Sequence, residues 1–140
     1  MKNSISMLAI LALTMMSFSL GADSYKILLG GKLLTEQFVH IQKAVPSLSL
    51  DASGKEMLTV QYSHCGRIGT QRILSIRNTD NDIIREWKFN EGSPVEVPVK
   101  EISDLPESGP LKLYYASAEM THGRLLASLL LTGKPLSKKD

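Results

Sequence analysis

Apolar residues in this chain recur at every second position, and that period fits strands far better than helices. In Glu56–His64, EMLTVQYSH, Leu58, Val60 and Tyr62 share one face, with Thr59, Gln61 and Ser63 on the other. Successive side chains of a strand point to opposite sides, so this pattern buries one face and wets the other. RILSIRN and IIREWKFN flank TDND, where Asp80 and Asn81 suit a tight turn. They predict a hairpin with Leu74 and Ile76 inward on one strand, and Trp87 and Phe89 inward on the other. SPVEVPVKEI places Val95, Val97 and Val99 in one row. Pro98 has no N–H to donate, so this strand belongs at a sheet edge. LKLYYASAEM and RLLASLLLTG follow, joined near THG. The first is apolar on both faces, as a covered central strand would be. The second offers Leu125, Ala127, Leu129 and Leu131 as an inward row.

The beginning is less regular. YKILLGGKLL reads as a strand broken at Gly30 and Gly31. In LTEQFVHIQKAV, Leu34, Phe38, Ile41 and Val45 fit helical spacing with Thr35 as N-cap, while FVHIQ fits an edge strand. Pro46 interrupts the segment, which favours an extended or irregular path. About seven strands, with turn signals every 8–12 residues or so, predict an all-β antiparallel sandwich.

Residues 1–22 read as a signal peptide. Lys2 is followed by the apolar run Met7–Leu20 and the small residues Ser19, Gly21 and Ala22. The run is short for a membrane span, and no second one is long enough, so no span is expected after cleavage. Residues 23–135 form one domain and 136–140 a short polar tail. The expected location is exported, periplasmic or extracellular. The chain carries +2 overall, and the leader holds one base and no acid. A nearly neutral domain has no strong pull on nucleic acid or anionic lipid. The single cysteine, Cys65, cannot form an internal disulfide, so the domain must rely on its apolar core.

The order of an exported start, YKILLGGK, PSLSLDASGKEMLTVQY, ILSIRNTDNDIIREWKF, VEVPVKEISDLPESGPLKLYYAS and a last apolar strand resembles small exported bacterial immunoglobulin-like proteins of unknown function. The similarity covers most of residues 25–133. It departs from them at SGPLKLYY, where Gly109 and Tyr114 stand further apart than the usual Gly-x-Tyr. The resemblance implies an immunoglobulin-like or fibronectin-III-like sandwich and carries over no catalytic residue.

YSHCGRIG raises the question of chemistry. With alternation continued, His64 shares the face of Tyr62 and Cys65 points away, so the two meet only if a turn begins there. Gly66 and Gly69 permit one. A soft-metal site for copper would then draw on His64, Cys65, Met120 and His122, since thiolate, imidazole and thioether suit that metal. The bland alternative is a strand-end histidine beside a small apolar cysteine. A Cys–His nucleophile needs a base beside Cys65, and His64 faces away from it. Asp80 and Asp82 read as turn residues rather than calcium ligands. Arg67, Arg72, Arg77, Arg85 and Lys88 are interspersed with Asp80, Asp82 and Glu86, as on an ordinary mixed surface.

These readings converge on a non-catalytic exported module without a cofactor. It would bind a protein or glycan partner in the cell envelope through loops or a strand edge. Two alternatives follow: a periplasmic copper-binding protein using the four residues above, and an inhibitor of a secreted hydrolase presenting SDLPESGP.

Overall fold

The computed structural model describes residues 22–107 and 109–133. All of the leader but Ala22, and the whole of the tail 136–140, lie outside them. The described residues form two β-sheets stacked as a sandwich. The first has strand order β2-β1-β4-β7, from β1 (Ser24–Leu29), β2 (Lys32–Phe38), β4 (Met57–Ser63) and β7 (Val95–Pro98). The second has order β3-β9-β8-β5-β6, from β3 (Ser47–Asp51), β5 (Arg72–Arg77), β6 (Ile83–Phe89), β8 (Leu111–Ser117) and β9 (Met120–Thr132). One short helix, α1 (Val99–Ser103), follows β7. No described helix is long and apolar enough to cross a membrane.

Alternation builds the interior. Tyr25 and Ile27, then Leu58, Val60 and Tyr62, then Val95 and Val97 come from the first sheet. Leu48, Leu50, Leu74, Ile76, Leu111, Leu113, Tyr115 and Leu129 face them from the second. Each fully buried Leu, Val or Ile contributes roughly 1.5–3 kcal/mol. Trp87 and Phe89 are half-buried against this core, and Trp87 Nε1 donates to Glu101 Oε2 of α1 at 3.1 Å.

Several details depart from the sequence reading. Among the described residues nine strands stand where about seven were expected, because YKILLGGKLL is a hairpin of β1 and β2 rather than one broken strand and because Ser47–Asp51 adds β3. Gly30 and Gly31 have φ of 57° and 82°, which is the primed two-residue turn that right-twisted strands prefer. β2 continues to Phe38 and ends in a single 3-10 turn, Val39–Ile41. One strand pair is parallel, β3 beside β9. β7 is an edge strand, as Pro98 required, but it stops there. Val99 is buried as the first residue of α1 instead of as a strand residue. The turn from β8 to β9 comes at Ala118–Glu119, so Thr121, His122 and Gly123 lie within β9. Lastly, β9 pairs Ala127 with Leu113 and Leu125 with Tyr114, leaving Leu126 as an extra residue. This bulge sends Leu125 out of the expected row, while Leu126 is fully buried.

Candidate functional site

One end of the sandwich gathers most of the polar chemistry. Three tyrosines stack across the sheets there. Tyr25 and Tyr62 are 5.9 Å apart by ring centroids with nearly parallel planes; Tyr62 and Tyr115 are 4.5 Å apart at 10°. The His64 ring lies 4.7 Å from Tyr62. Alternation places these rings: Tyr62 continues the Leu58–Val60 row, and Tyr115 continues the Leu111–Leu113 row.

Asp23 organises one side. Its Oδ2 accepts from the Tyr62 hydroxyl at 2.9 Å and lies 3.6 Å from His64 Nδ1; its Oδ1 lies 3.6 Å from Cys65 Sγ. Arg124 Nε donates to the Tyr62 oxygen at 2.8 Å, and Met120 Sδ is 3.8 Å from it. Ser117 Oγ bonds His64 Nε2 at 3.1 Å. Tyr25 donates to the Leu126 carbonyl at 2.7 Å and accepts from Gln42 Nε2 at 2.9 Å.

The segment between β4 and β5 is a tightly tied loop. His64 and Arg67 exchange both main-chain bonds, at 2.7 and 3.0 Å, around Cys65 and Gly66, whose φ values are 52° and 88°. The turn that sequence reasoning required for His64 and Cys65 to approach one group is therefore present. Glu119 holds Thr70 through its N–H and hydroxyl, at 2.9 and 2.6 Å. Glu91 accepts from the Gln71 N–H at 3.0 Å. Gly69 approaches so closely that a Cβ there would stand 2.8 Å from His64 Nε2 and 2.9 Å from the Tyr115 oxygen.

A cleft of about 880 Å³ opens beside the tyrosine stack. Tyr62, Tyr115 and Arg72 wall it from inside; Ile68, Glu91 and Pro94 are on its rim. Arg72 is 6% exposed, and its Nη2 donates to the carbonyls of Asn90 and Ser93, both at 2.7 Å. Its Nε has no partner, and neither has the hydroxyl of Tyr115, which is 1% exposed. Ser117, whose Oγ bonds His64 Nε2, stands near that hydroxyl and favours its charged form, while the Glu119 and Asp23 charges oppose it.

Burial pushes the phenols of Tyr62 and Tyr115 up to about 12; Asp23 adds to the rise at Tyr62, and the Arg72 charge opposes it at Tyr115. Tyr25 is raised for the same first reason, burial. All three are neutral hydrogen-bonding groups near neutral pH. Cys65 is exposed, yet desolvation and then Asp23 raise its thiol, which disfavours the thiolate a nucleophile needs.

Of the four candidate metal ligands, the structure brings His64 and Cys65 to Asp23 and Met120 to Tyr62. His122 is exposed on β9. Among the described residues no group of three or more His, Cys, Asp or Glu is placed to hold a metal ion. Of the SDLPESGP loop, Ser103 closes α1 and Ser108 is outside the described residues. Sequence reasoning counted Arg72 with the surface cations and passed over Tyr115. The available signal was parity: Arg72 sits in the row of Leu74 and Ile76. The chain matches no protein-family model, no curated protein and no solved structure.

Proposed function

We propose that this is an exported, non-catalytic binding module with an immunoglobulin-like sandwich, which takes a protein or glycan partner of the cell envelope in the cleft. The order β9-β8-β5-β6 supports the immunoglobulin-like reading, since it reproduces the G-F-C-C′ order of variable-type domains. The observation that carries the binding role is the cleft itself. It is concave, walled by stacked aromatic rings and a few convergent polar groups, and its size suits a ligand site, typically about 300–1,000 Å³. Neutral phenols and a thiol raised above its ordinary range favour recognition over nucleophilic chemistry.

The test is retention of envelope and medium components on the immobilised mature domain, compared with Ile68→Glu. Ile68 is 78% exposed on the cleft rim, so the substitution changes the cleft and spares the core. A component held by the wild type and lost by the variant is expected. Equal retention by both would remove the cleft from the function.

A second reading is a copper-binding protein, for which the turn at Cys65 brings the His64 imidazole and the Cys65 thiol to one side, each 3.6 Å from Asp23, without a third His, Cys, Asp or Glu placed to complete a metal site among the described residues. Titration with Cu(I) should then show one tight equivalent that Cys65→Ser abolishes; binding that ignores this change excludes the reading.

A further inference from the structure

The cleft has two properties that specify its occupant. The first is an open strand edge. Along β4, Met57 C=O accepts from Gly30 N–H of the β1–β2 turn, whereas Glu56 C=O accepts from Val99 N–H on the β7 side. Main-chain groups alternate sides along a strand, so those of Leu58, Val60 and Tyr62 face β7. β7 begins at Val95, opposite Val60. The N–H and C=O of Tyr62 are thus aimed where β7 has not yet started, and no described main-chain bond closes there. All five residues from Thr59 to Ser63 line the cleft, which therefore runs along this edge. An unpaired edge is a template for an added extended segment.

The second property is an uncompensated cation. Arg72 is only 6% exposed, and no carboxylate among the described residues forms an ion pair with it. A buried charge is costly unless paired. Its Nε and the Tyr115 hydroxyl are two buried donors without hydrogen-bond partners, on two residues that line one wall. The acids that line the cleft are engaged, Glu91 with Gln71 N–H and Glu36 with Lys26 at 3.4 Å, and so are the two whose charge reaches Tyr115, Glu119 with Thr70 and Asp23 with the Tyr62 hydroxyl. A ligand carboxylate supplies both the missing charge and the missing acceptors.

We infer that the cleft binds an extended peptide, which pairs with the β4 edge at Tyr62 and delivers a carboxylate to Arg72 Nε and the Tyr115 hydroxyl. This deepens the binding reading above and rests on it. The carboxylate comes from an acidic side chain or from a free C-terminus; both present the same chemistry to the two donors.

Three pools of N-acetylated random hexapeptides test this on the immobilised mature domain. One lacks Asp and Glu and is C-terminally amidated. A second is amidated and carries one Glu. A third lacks acidic residues and has a free C-terminus. Retention of the second or third pool, with the first excluded, is expected, and identifies the source of the carboxylate. Tyr115→Phe, which keeps the ring and loses only the free hydroxyl, should weaken the retained peptides roughly tenfold or more, as for loss of a hydrogen bond to a charged group. Equal retention of all three pools, or no change in Tyr115→Phe, overturns the carboxylate inference and leaves a cleft that binds peptides otherwise. If no pool is retained while an Ile68-dependent envelope component still is, the peptide inference falls and the binding module stands. If no Ile68-dependent component exists either, both fall.

Discussion

Tyr115→Phe should make the unliganded domain more stable while weakening its ligand. The hydroxyl is buried and has no hydrogen-bond partner, whereas the ring is stacked 4.5 Å from Tyr62. A buried polar group left unbonded costs about 1–3 kcal/mol. Phenylalanine removes that cost and keeps the stack. Against this stands the loss of one oxygen's packing contacts, at about 0.1–0.2 kcal/mol each. The net is a gain of about 1 kcal/mol, or roughly 4 °C in Tm for a domain of this size. Ser117→Ala serves as the contrast. Its hydroxyl is bonded to His64, so its removal should destabilise by about 1 kcal/mol. Urea unfolding at constant slope, with calorimetry beside it, reads both. A lower midpoint for Tyr115→Phe would mean that the hydroxyl is satisfied in the folded state, and would refute the reasoning.

Gly69→Ala forces a methyl to within 2.8 Å of His64 and 2.9 Å of Tyr115, so it should cost about 1–3 kcal/mol in urea unfolding. Leu126→Ala should cost about 2–5 kcal/mol and Leu125→Ala much less, the reverse of what strict alternation would give; the same unfolding assay ranks them. The Glu119 carboxyl, bonded by the Thr70 hydroxyl and N–H, sits at about 2. Its folded value is below its unfolded one, so its stabilising contribution is present above the ordinary carboxylate range and fades as pH falls towards 2. NMR titration should find that low midpoint, and Thr70→Val should raise it. Alkylation of Cys65 should follow a pH profile displaced above that of a free thiol; Asp23→Asn should bring it only part of the way back, since desolvation is the larger cause.

Much of the architecture was readable because burial on one face enforces a two-residue period. Leu58–Val60–Tyr62, Leu74–Ile76, Val95–Val97 and Leu111–Leu113–Tyr115 all obey it. The period fails where one residue is inserted. After the bulge at Leu126 every side chain towards Arg124 changes face, and nothing in LLASLLL marks where the register shifts. Phe38 to Ile41 carried both helical and strand spacing, and the chain there ends as half-exposed strand and a 3-10 turn, where neither pattern governs. The site was harder to read for another reason. Tyr115 looks like any core residue in its row. Its lack of a hydrogen-bond partner depends on where Ser117, His64 and Gly69 come to lie, which is long-range information.

Arg72 links the open edge to the charged wall. Had residues 90–94 continued straight back from Val95, Ser93 would have faced Tyr62 and closed β4. Instead the Arg72 Nη2 group draws in the carbonyls of Asn90 and Ser93, and Ser93 N–H turns back to Asn90 C=O at 3.1 Å. The side chain bonded to this segment also carries a buried Nε without a partner. A hydrophobic residue at position 72 would suit the row of Leu74 and Ile76 and would release the turn, allowing the edge to close. Stability alone therefore argues against an arginine there. On the peptide inference above, the two carbonyl bonds answer part of the guanidinium's cost and a ligand carboxylate would answer the charge they leave unpaired.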